Sequence, residues 1–142
     1  MEVLKIQSKS RNEFIDITQD IQKIIASSGT IEQGFCMIFV PHTTAGVAIN
    51  ESADPSVPAD ILMSLNTLVP LDAGYRHMEG NSAAHIKSLL TGVSVTVAIE
   101  NKCLVLGTWQ GIFFCEYDGP RSRKVHVHLS SSAASSHAAG NW

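Results

Sequence analysis

The stretch VSVTVAIENKCLVLGTWQGIFFCEYDGPRSRKVHVHL, residues 93–129, decides the fold class of this chain. β-branched and aromatic residues, which favour strands, concentrate in four short runs at 93–99, 103–106, 111–117 and 124–129. Asn101-Lys102 is a suitable hairpin turn, and Asp118-Gly119-Pro120 interrupts the pattern strongly. The stretch therefore predicts a strand-rich C-terminal part with tight connections.

Residues before this stretch alternate between strand and helix patterns. Short strands are predicted at 1–7, 13–17, 35–40 and 47–50. A first helix follows an N-cap at Thr18, and a second starts at Asp54-Pro55 or only at Pro58. A third helix runs from Ser82 to Leu90, with apolar positions predicted to face inward at Ile86, Leu89 and Leu90. The order predicts an α+β fold with antiparallel or mixed β-sheets and about three helices.

Length and composition favour one domain in a reducing compartment. The 142 residues suit a single compact domain over 1–130, followed by a flexible Ser/Ala-rich tail at 131–142. A net charge of −3 argues against nucleic acid or an anionic membrane as the partner. No apolar run approaches the roughly 20 residues that cross a bilayer. The three cysteines form no C-x-x-C pair, which is typical of a cytoplasmic protein.

A first polar cluster follows the strand predicted at 35–40. His42, Thr43 and Thr44 come directly after Pro41, and Asn50 and Glu51 follow a few residues later. His42 has the chemistry of a metal ligand, a general base or an anion donor. The structural alternative is that His42 and the two threonines only close a turn.

A second cluster, YRHMEGNSAAH, occupies residues 75–85 and contains His77, Asn81 and His85. His85 would lie in the first turn of the third helix, where the helix dipole disfavours the charged imidazolium. Neutral imidazole is the form that binds metals. The free backbone donors of the same helix start could instead bind phosphate.

A third cluster joins Trp109-Gln110 to a polar segment that begins at Glu116. Strand alternation places Glu116 on the same face as Ile112 and Phe114, so its carboxylate needs a partner. Arg121 is the natural candidate, either for an ion pair with Glu116 or for anchoring a ligand's carboxylate or phosphate. The sequence leaves both roles of Arg121 open.

Three stretches together resemble the YjbQ-type family, which is also labelled secondary thiamine-phosphate synthase. They are HTTAG at 42–46 with Asn50, Glu51 and Asp54-Pro55; GNSAAH at 80–85; and LGTWQ at 106–110 running to DGPR at 118–121. The resemblance covers residues 1–130. It implies a compact α+β fold that assembles as a homotrimer and a pocket where the motif residues converge.

The resemblance also implies a metal site and a reaction. His42, His77 and His85 are the implied ligands of a divalent metal, with zinc as the expected ion. Family members are associated with joining a pyrimidine diphosphate to a thiazole phosphate, with loss of pyrophosphate. The expected partner is therefore a small anionic, phosphorylated substrate. The residues expected to bind or orient it are Thr43, Thr44, Asn50, Asn81, Trp109 and Gln110.

Three functional hypotheses follow. The first is an enzyme that acts on a phosphorylated small molecule, with catalytic roles for Glu51, Arg121 and Glu116. The second is a metal-dependent hydrolase in which Glu51 or Glu116 is the general base. The third is a non-catalytic trimeric binding protein, in which Trp109 and Gln110 belong to an interface.

Overall fold

A computed structural model describes residues 1–29 and 31–132 of the chain. Its strands are β1 (Glu2–Gln7), β2 (Glu13–Asp16), β3 (Gln33–Phe39), β4 (Ala45–Glu51), β5 (Ser94–Glu100), β6 (Cys103–Leu104), β7 (Gln110–Glu116) and β8 (Ser122–Ser131). The helices are α1 (Thr18–Ser27), α2 (Ser56–Leu68) and α3 (Ser82–Thr91). The fold is α+β, as the sequence predicts.

Two antiparallel sheets stack face to face. The larger has the strand order β1-β8-β3-β5-β6, and the smaller has the order β2-β7-β4. The main core lies between them, where Cys36, Ile38, Val125 and Val127 of the larger sheet are buried together with Phe114 of the smaller one. Helix α1 adds Ile21 and Ile25 to this core.

Helices α2 and α3 cover the other face of the smaller sheet. A second apolar cluster there is built around Phe113, Cys115 and Tyr117 of β7 and its continuation. The alternation of β7 therefore separates two cores, with odd positions towards the helices and even positions towards the larger sheet. Helix α2 contributes no fully buried residue, so it packs loosely on this layer.

Element ends differ modestly from the sequence predictions. Helix α1 begins at Thr18 itself, because the Asp16 carboxylate accepts from the Thr18 backbone N–H at 2.9 Å. Helix α2 begins at Ser56, and Asp54 Oδ1 accepts from the Ser56 N–H at 2.9 Å. Pro58 is tolerated because N–H groups in a first turn have no helical partner. The turn at Asn101-Lys102 is confirmed, with positive φ at both residues.

The inward face predicted for α3 is wrong. Leu89 is 83% exposed and Leu90 is 58% exposed, whereas Ala83, Ala84, Lys87 and Ser88 are buried. Small residues let the helix approach the sheet closely. Ser88 Oγ donates to the Ala45 carbonyl at 2.7 Å, and a Cβ on Gly46 would lie 2.5 Å from the Gly92 carbonyl oxygen.

Strand β8 reaches Ser131, one residue past the predicted domain limit. The part of the predicted tail from residue 133 onward lies outside the described residues.

Candidate functional site

A buried ion pair joins the two sheets at one end of the core. Glu116, the last residue of β7, is fully buried, and Arg123 near the start of β8 is 7% exposed. Arg123 Nε donates to Glu116 Oε2 at 2.9 Å and Nη2 donates to Oε1 at 2.6 Å. This is the bidentate geometry that makes arginine–carboxylate pairs strong and directional.

The Glu116 carboxylate is saturated by further donors. Ser8 Oγ donates to Oε2 at 2.9 Å, and the backbone N–H groups of Tyr117 and Asp118 donate to Oε1 at 3.0 Å each. Burial alone would raise the pKa of Glu116, but the hydrogen bonds from Arg123, Asp118 and Ser8 outweigh it and hold the pKa below its usual value. A carboxylate engaged in this way ties the sheets together, and its lone pairs are already occupied.

The partner predicted for Glu116 is wrong. Arg121 binds Asp118 instead, with Nε donating to the Asp118 carbonyl at 2.7 Å and Nη2 to Oδ2 at 2.9 Å. Arg121 belongs to the loop before β8, whereas Arg123 shares the inward face of β8 with Val125 and Val127. The alternation of β8 was the signal that could have identified Arg123.

His42 is held in its neutral form. Its Nε2 accepts the Lys124 backbone N–H at 2.9 Å, which requires a lone pair on that nitrogen. Burial and then the charge of Arg123 lower the pKa of His42. A neutral ring with a lone pair on Nε2 carries its proton on Nδ1, so His42 presents an N–H donor.

An open cleft of about 820 Å³, which we call the histidine cleft, lies beside this ring. His42, Thr43, His85, Ser88 and Arg123 supply its polar groups, and Phe39, Leu89 and Val93 supply apolar walls. The Arg123 guanidinium uses Nε and Nη2 on Glu116 and on Thr44 Oγ1. Within residues 1–29 and 31–132, Nη1 has no hydrogen-bond acceptor, so its two N–H groups remain available at the cleft.

His77 and His85 lie close together. Their ring centroids are 5.4 Å apart with the planes nearly perpendicular, and His77 Nε2 is 3.8 Å from a Glu79 carboxylate oxygen. His85 lines both the histidine cleft and a neighbouring depression that His77 lines with Tyr75 and Arg76. His85 is thus the link between the other two histidines of the predicted triad.

The fit of this triad to zinc is incomplete. In the described part of the chain, no three His, Cys, Asp or Glu side chains are grouped to hold an ion. A metal on His42 Nδ1 would place the ring proton on Nε2, against the Lys124 N–H. His77 and His85 keep free ring nitrogens, so this pair fits a metal better than His42 does.

The remaining predicted residues divide into two groups. Thr43 is exposed in the cleft, and Asn81 is buried with its Nδ2 donating to Asp118 Oδ2 at 2.9 Å. Thr44 is buried and accepts from Arg123, so it supports the ion pair.

A second group lies at the far end of β4. Glu51 pairs in register with Gln110, Asn50 pairs with Gly111, and the Trp109 carbonyl accepts from the Ser52 N–H. Seven residues of β4 separate this end from the histidine cleft by about 20 Å. Within one chain, the motif residues therefore lie in two separate regions, the histidine cleft and the far end of β4.

Two stacked antiparallel sheets with a helical layer on one side make this chain a small α+β protein. The family model described as "UPF0047 protein YjbQ-like" matches residues 2–132. The chain belongs to this YjbQ/UPF0047 family.

Relatives and solved structures agree with this assignment. UPF0047 protein YugU of Bacillus subtilis is 46% identical over 130 residues, covering 91% of this chain and 98% of that one. UPF0047 protein MJ1081 of Methanocaldococcus jannaschii is 50% identical over 125 residues, covering 88% and 90%. An uncharacterised YjbQ/UPF0047 protein of Clostridium acetobutylicum superposes with a TM-score of 0.89 at 48% identity, covering 92% and 100% of the two chains. A YbjQ-like protein of unknown function from Sulfolobus solfataricus gives 0.87 at 30% identity, covering 92% and 96%.

Among the helices of the described residues, none combines the length and apolar character that a membrane crossing requires.

Proposed function

We propose that this protein is an enzyme that binds a phosphorylated small molecule in the histidine cleft. The observation that carries the proposal is a pair of donors that no described residue uses, Arg123 Nη1 and the Nδ1–H of His42, on two residues that line the same cleft. The two N–H groups of a guanidinium Nη1 and an imidazole N–H suit the oxygens of a phosphate. Their supports, Glu116 and the Lys124 N–H, fix both donors before a ligand arrives, which lowers the cost of binding.

The reaction associated with the family fits this donor set. In it, the bond between the pyrimidine's methylene carbon and the diphosphate oxygen breaks, and the thiazole nitrogen bonds to that carbon. Arg123 and His42 would bind the departing pyrophosphate, where negative charge grows during the step. His85, which also lines the cleft, would donate a proton to it. Thr43 would orient the bound phosphate.

A metal-assisted reaction is the second candidate, and the contact between His77 and His85 favours it. Two imidazoles can hold a divalent ion such as zinc, with the substrate's phosphate oxygens completing the coordination. Such an ion would act as a Lewis acid on the phosphate. In a hydrolase of this kind Glu51 lies too far along β4 to act as the base within one chain, and Glu116 has no free lone pair.

We also propose that the protein works as a cytoplasmic homotrimer. Phe35 and Met37 project from the outer face of the larger sheet and are 54% and 41% exposed, and Leu89 is 83% exposed beside the cleft. Apolar surface of this kind is typical of protein interfaces. Light scattering should give three times the 15.3 kDa of one chain; a monomer mass at micromolar concentration contradicts the trimer.

The proposal is tested by titrating pyrophosphate into the purified protein by calorimetry. We expect His42→Ala and His85→Ala to weaken binding at least about tenfold, because each removes a charge-assisted or polar contact. The matched control is His128→Ala, which changes an exposed histidine on the outer face of β8. Equal affinities in all four proteins would refute the proposal.

Two further measurements separate the candidates. Turnover of the pyrimidine diphosphate and thiazole phosphate should be lost in His85→Ala, and pyrophosphate should be released in equal amount to the product. Metal analysis of wild-type protein and of a His77→Ala, His85→Ala variant tests the second candidate. Stoichiometric zinc that disappears in the variant supports it. Pyrophosphate binding without any turnover, on this or other phosphorylated substrates, supports a non-catalytic binding protein.

A further inference from the structure

A second pocket lies on the opposite side of α3 from the histidine cleft. It encloses about 260 Å³, and we call it the asparagine pocket. Its polar lining comes from four parts of the chain: the loop between β1 and β2, the end of α2, helix α3 and the end of β7. These polar residues are Arg11, Asn12, Asn66, Asn81, Lys87 and Tyr117.

Lys87 brings a buried positive charge to this pocket. It is only 4% exposed, and its Nζ donates to Asn66 Oδ1 at 2.5 Å. No carboxylate lies within salt-bridge distance of Lys87 in the part of the chain that the structure describes. Buried lysines are ordinarily paired, because an uncompensated ammonium is costly away from water. Two of its three N–H groups have no acceptor among the described residues.

Two of the residues that line the pocket also have amide oxygens without partners among the described residues. Asn12 Oδ1 and Asn81 Oδ1 are shut off from solvent, and neither receives a hydrogen bond from any described residue. The orientation of Asn81 is fixed, because its NH₂ group must face the Asp118 carboxylate, which can only accept. Buried carbonyl oxygens without donors are rare in native proteins and ask for an explanation.

We infer that the asparagine pocket binds a small organic anion that carries hydroxyl groups. The anionic group would pair with Lys87, because Arg11 at the rim already lies 3.9 Å from a carboxylate oxygen of Asp118. The hydroxyl groups would donate to the oxygens of Asn12 and Asn81. A volume of about 260 Å³ equals roughly eight or nine water molecules, which suits a compound of three or four carbons.

Two other occupants fit the lining less well. Water molecules can donate to both amide oxygens, but they leave Lys87 without a counter-charge. An amino compound offers N–H donors, but its ammonium group would lie beside the ammonium of Lys87 and be repelled by it. A hydroxylated anion supplies the donors and the negative charge together.

The test compares four probes by calorimetry on the whole chain. Glycerate and glycerol 3-phosphate carry hydroxyl groups on carbon, whereas acetate and methyl phosphate carry the same anionic groups without them. We expect each hydroxylated probe to bind at least about tenfold more tightly than its partner, since two hydrogen bonds are added. The tighter of the two hydroxylated probes identifies the anionic group, carboxylate or phosphate.

Variants place the binding in this pocket. Lys87→Met should weaken the hydroxylated probes at least about tenfold, and the exposed control Lys23→Met should leave them unchanged. His128→Ala should also leave them unchanged, because this exposed histidine on the outer face of β8 lines neither the asparagine pocket nor the histidine cleft. Should Lys87→Met fail to fold, Asn12→Leu serves instead. It removes an unpaired oxygen, so the fold should survive while the preference for hydroxylated probes falls.

The inference is overturned by any of three results. The first is no binding of any probe at millimolar concentration. The second is a hydroxyl preference that Asn12→Leu leaves intact. The third is binding that His85→Ala abolishes and Lys87→Met preserves, which would place the anion in the histidine cleft and leave the proposed function standing.

Discussion

Replacing Glu116 by glutamine tests whether the buried ion pair holds the two sheets together. The substitution keeps the shape of the side chain and removes its charge. Arg123 would then be a buried guanidinium without a counter-ion. The new NH₂ group would also point a donor at the donors that now surround the carboxylate, from Ser8, Tyr117 and Asp118. The structure therefore predicts a large loss of stability from a change of very few atoms.

The size of the loss follows from burial. Removing one partner of a buried pair costs about 3–5 kcal/mol. For 142 residues the entropy of unfolding is about 0.3 kcal/mol/K, which converts this cost to a fall in melting temperature of roughly 10–17 °C. The double variant Glu116→Leu, Arg123→Met replaces the pair by apolar groups, and we expect it to recover much of the loss.

Differential scanning calorimetry measures this at one protein concentration and at pH 7. The control is Glu32→Gln, which breaks the exposed pair between Glu32 and Lys102, with side chains 68% and 46% exposed. That change should cost less than about 1 kcal/mol. A melting temperature for Glu116→Gln within about 3 °C of wild type would refute the structural role of the pair.

Three further predictions follow from the described contacts. The pKa of His42 in the folded protein lies below 6.5, so the unfolded chain takes up a proton first as the pH falls. The free energy of unfolding should therefore fall as the pH drops through 6.5 towards the folded-state pKa. Urea titrations of His42→Gln should lack this part of the decline. Gly119→Ala should lower the melting temperature by several degrees, because a Cβ there would lie 2.2 Å from the backbone oxygen of Ser10; an unchanged melting temperature would contradict that close approach. One thiol should react with a disulfide reagent in the native protein and three after denaturation. Cys103 is exposed, whereas burial raises the pKa of the Cys36 thiol to about 11 and that of the Cys115 thiol to about 12. More than one thiol that reacts fast in the native protein would contradict this.

Strand alternation was enough to predict that Glu116 is buried, but it could not identify the partner. Arg121 is nearer along the chain, and the sequence favours it for that reason. The true partner depends on how β8 lies across the core, since Arg123 reaches Glu116 only because the two sheets stack at that place. Sheet stacking is a property of the whole fold, which local patterns do not contain.

Helix α3 shows a different limit of sequence reasoning. Its apolar residues predict one buried stripe, yet its small residues face the sheet and its leucines face outward. A periodic pattern identifies an apolar face but not what that face contacts. The close approach at Gly46, which selects the small residues, depends on a strand almost forty residues earlier.

For the candidate site too, closeness along the chain was a good guide to contact for some residues and a poor one for others. The sequence placed His77 and His85 together, and the structure brings them into contact. It also grouped Asn50 and Glu51 with His42, because they lie close in the sequence. An extended strand carries residues apart by over 3 Å at each step, so neighbours in a motif can lie at opposite ends of a sheet.

The position of β8 inside the larger sheet governs when the protein can fold during synthesis. Strand β1 is made first, but among the strands in residues 1–29 and 31–132 it pairs only with β8, which is translated after the others and also pairs with β3. The backbone N–H and C=O groups of β1 therefore stay unpaired in the sheet until residues 122–131 have emerged from the ribosome. A ribosome that stalls just before this segment would leave β1 and β3 without their shared neighbour and prone to pair with other chains.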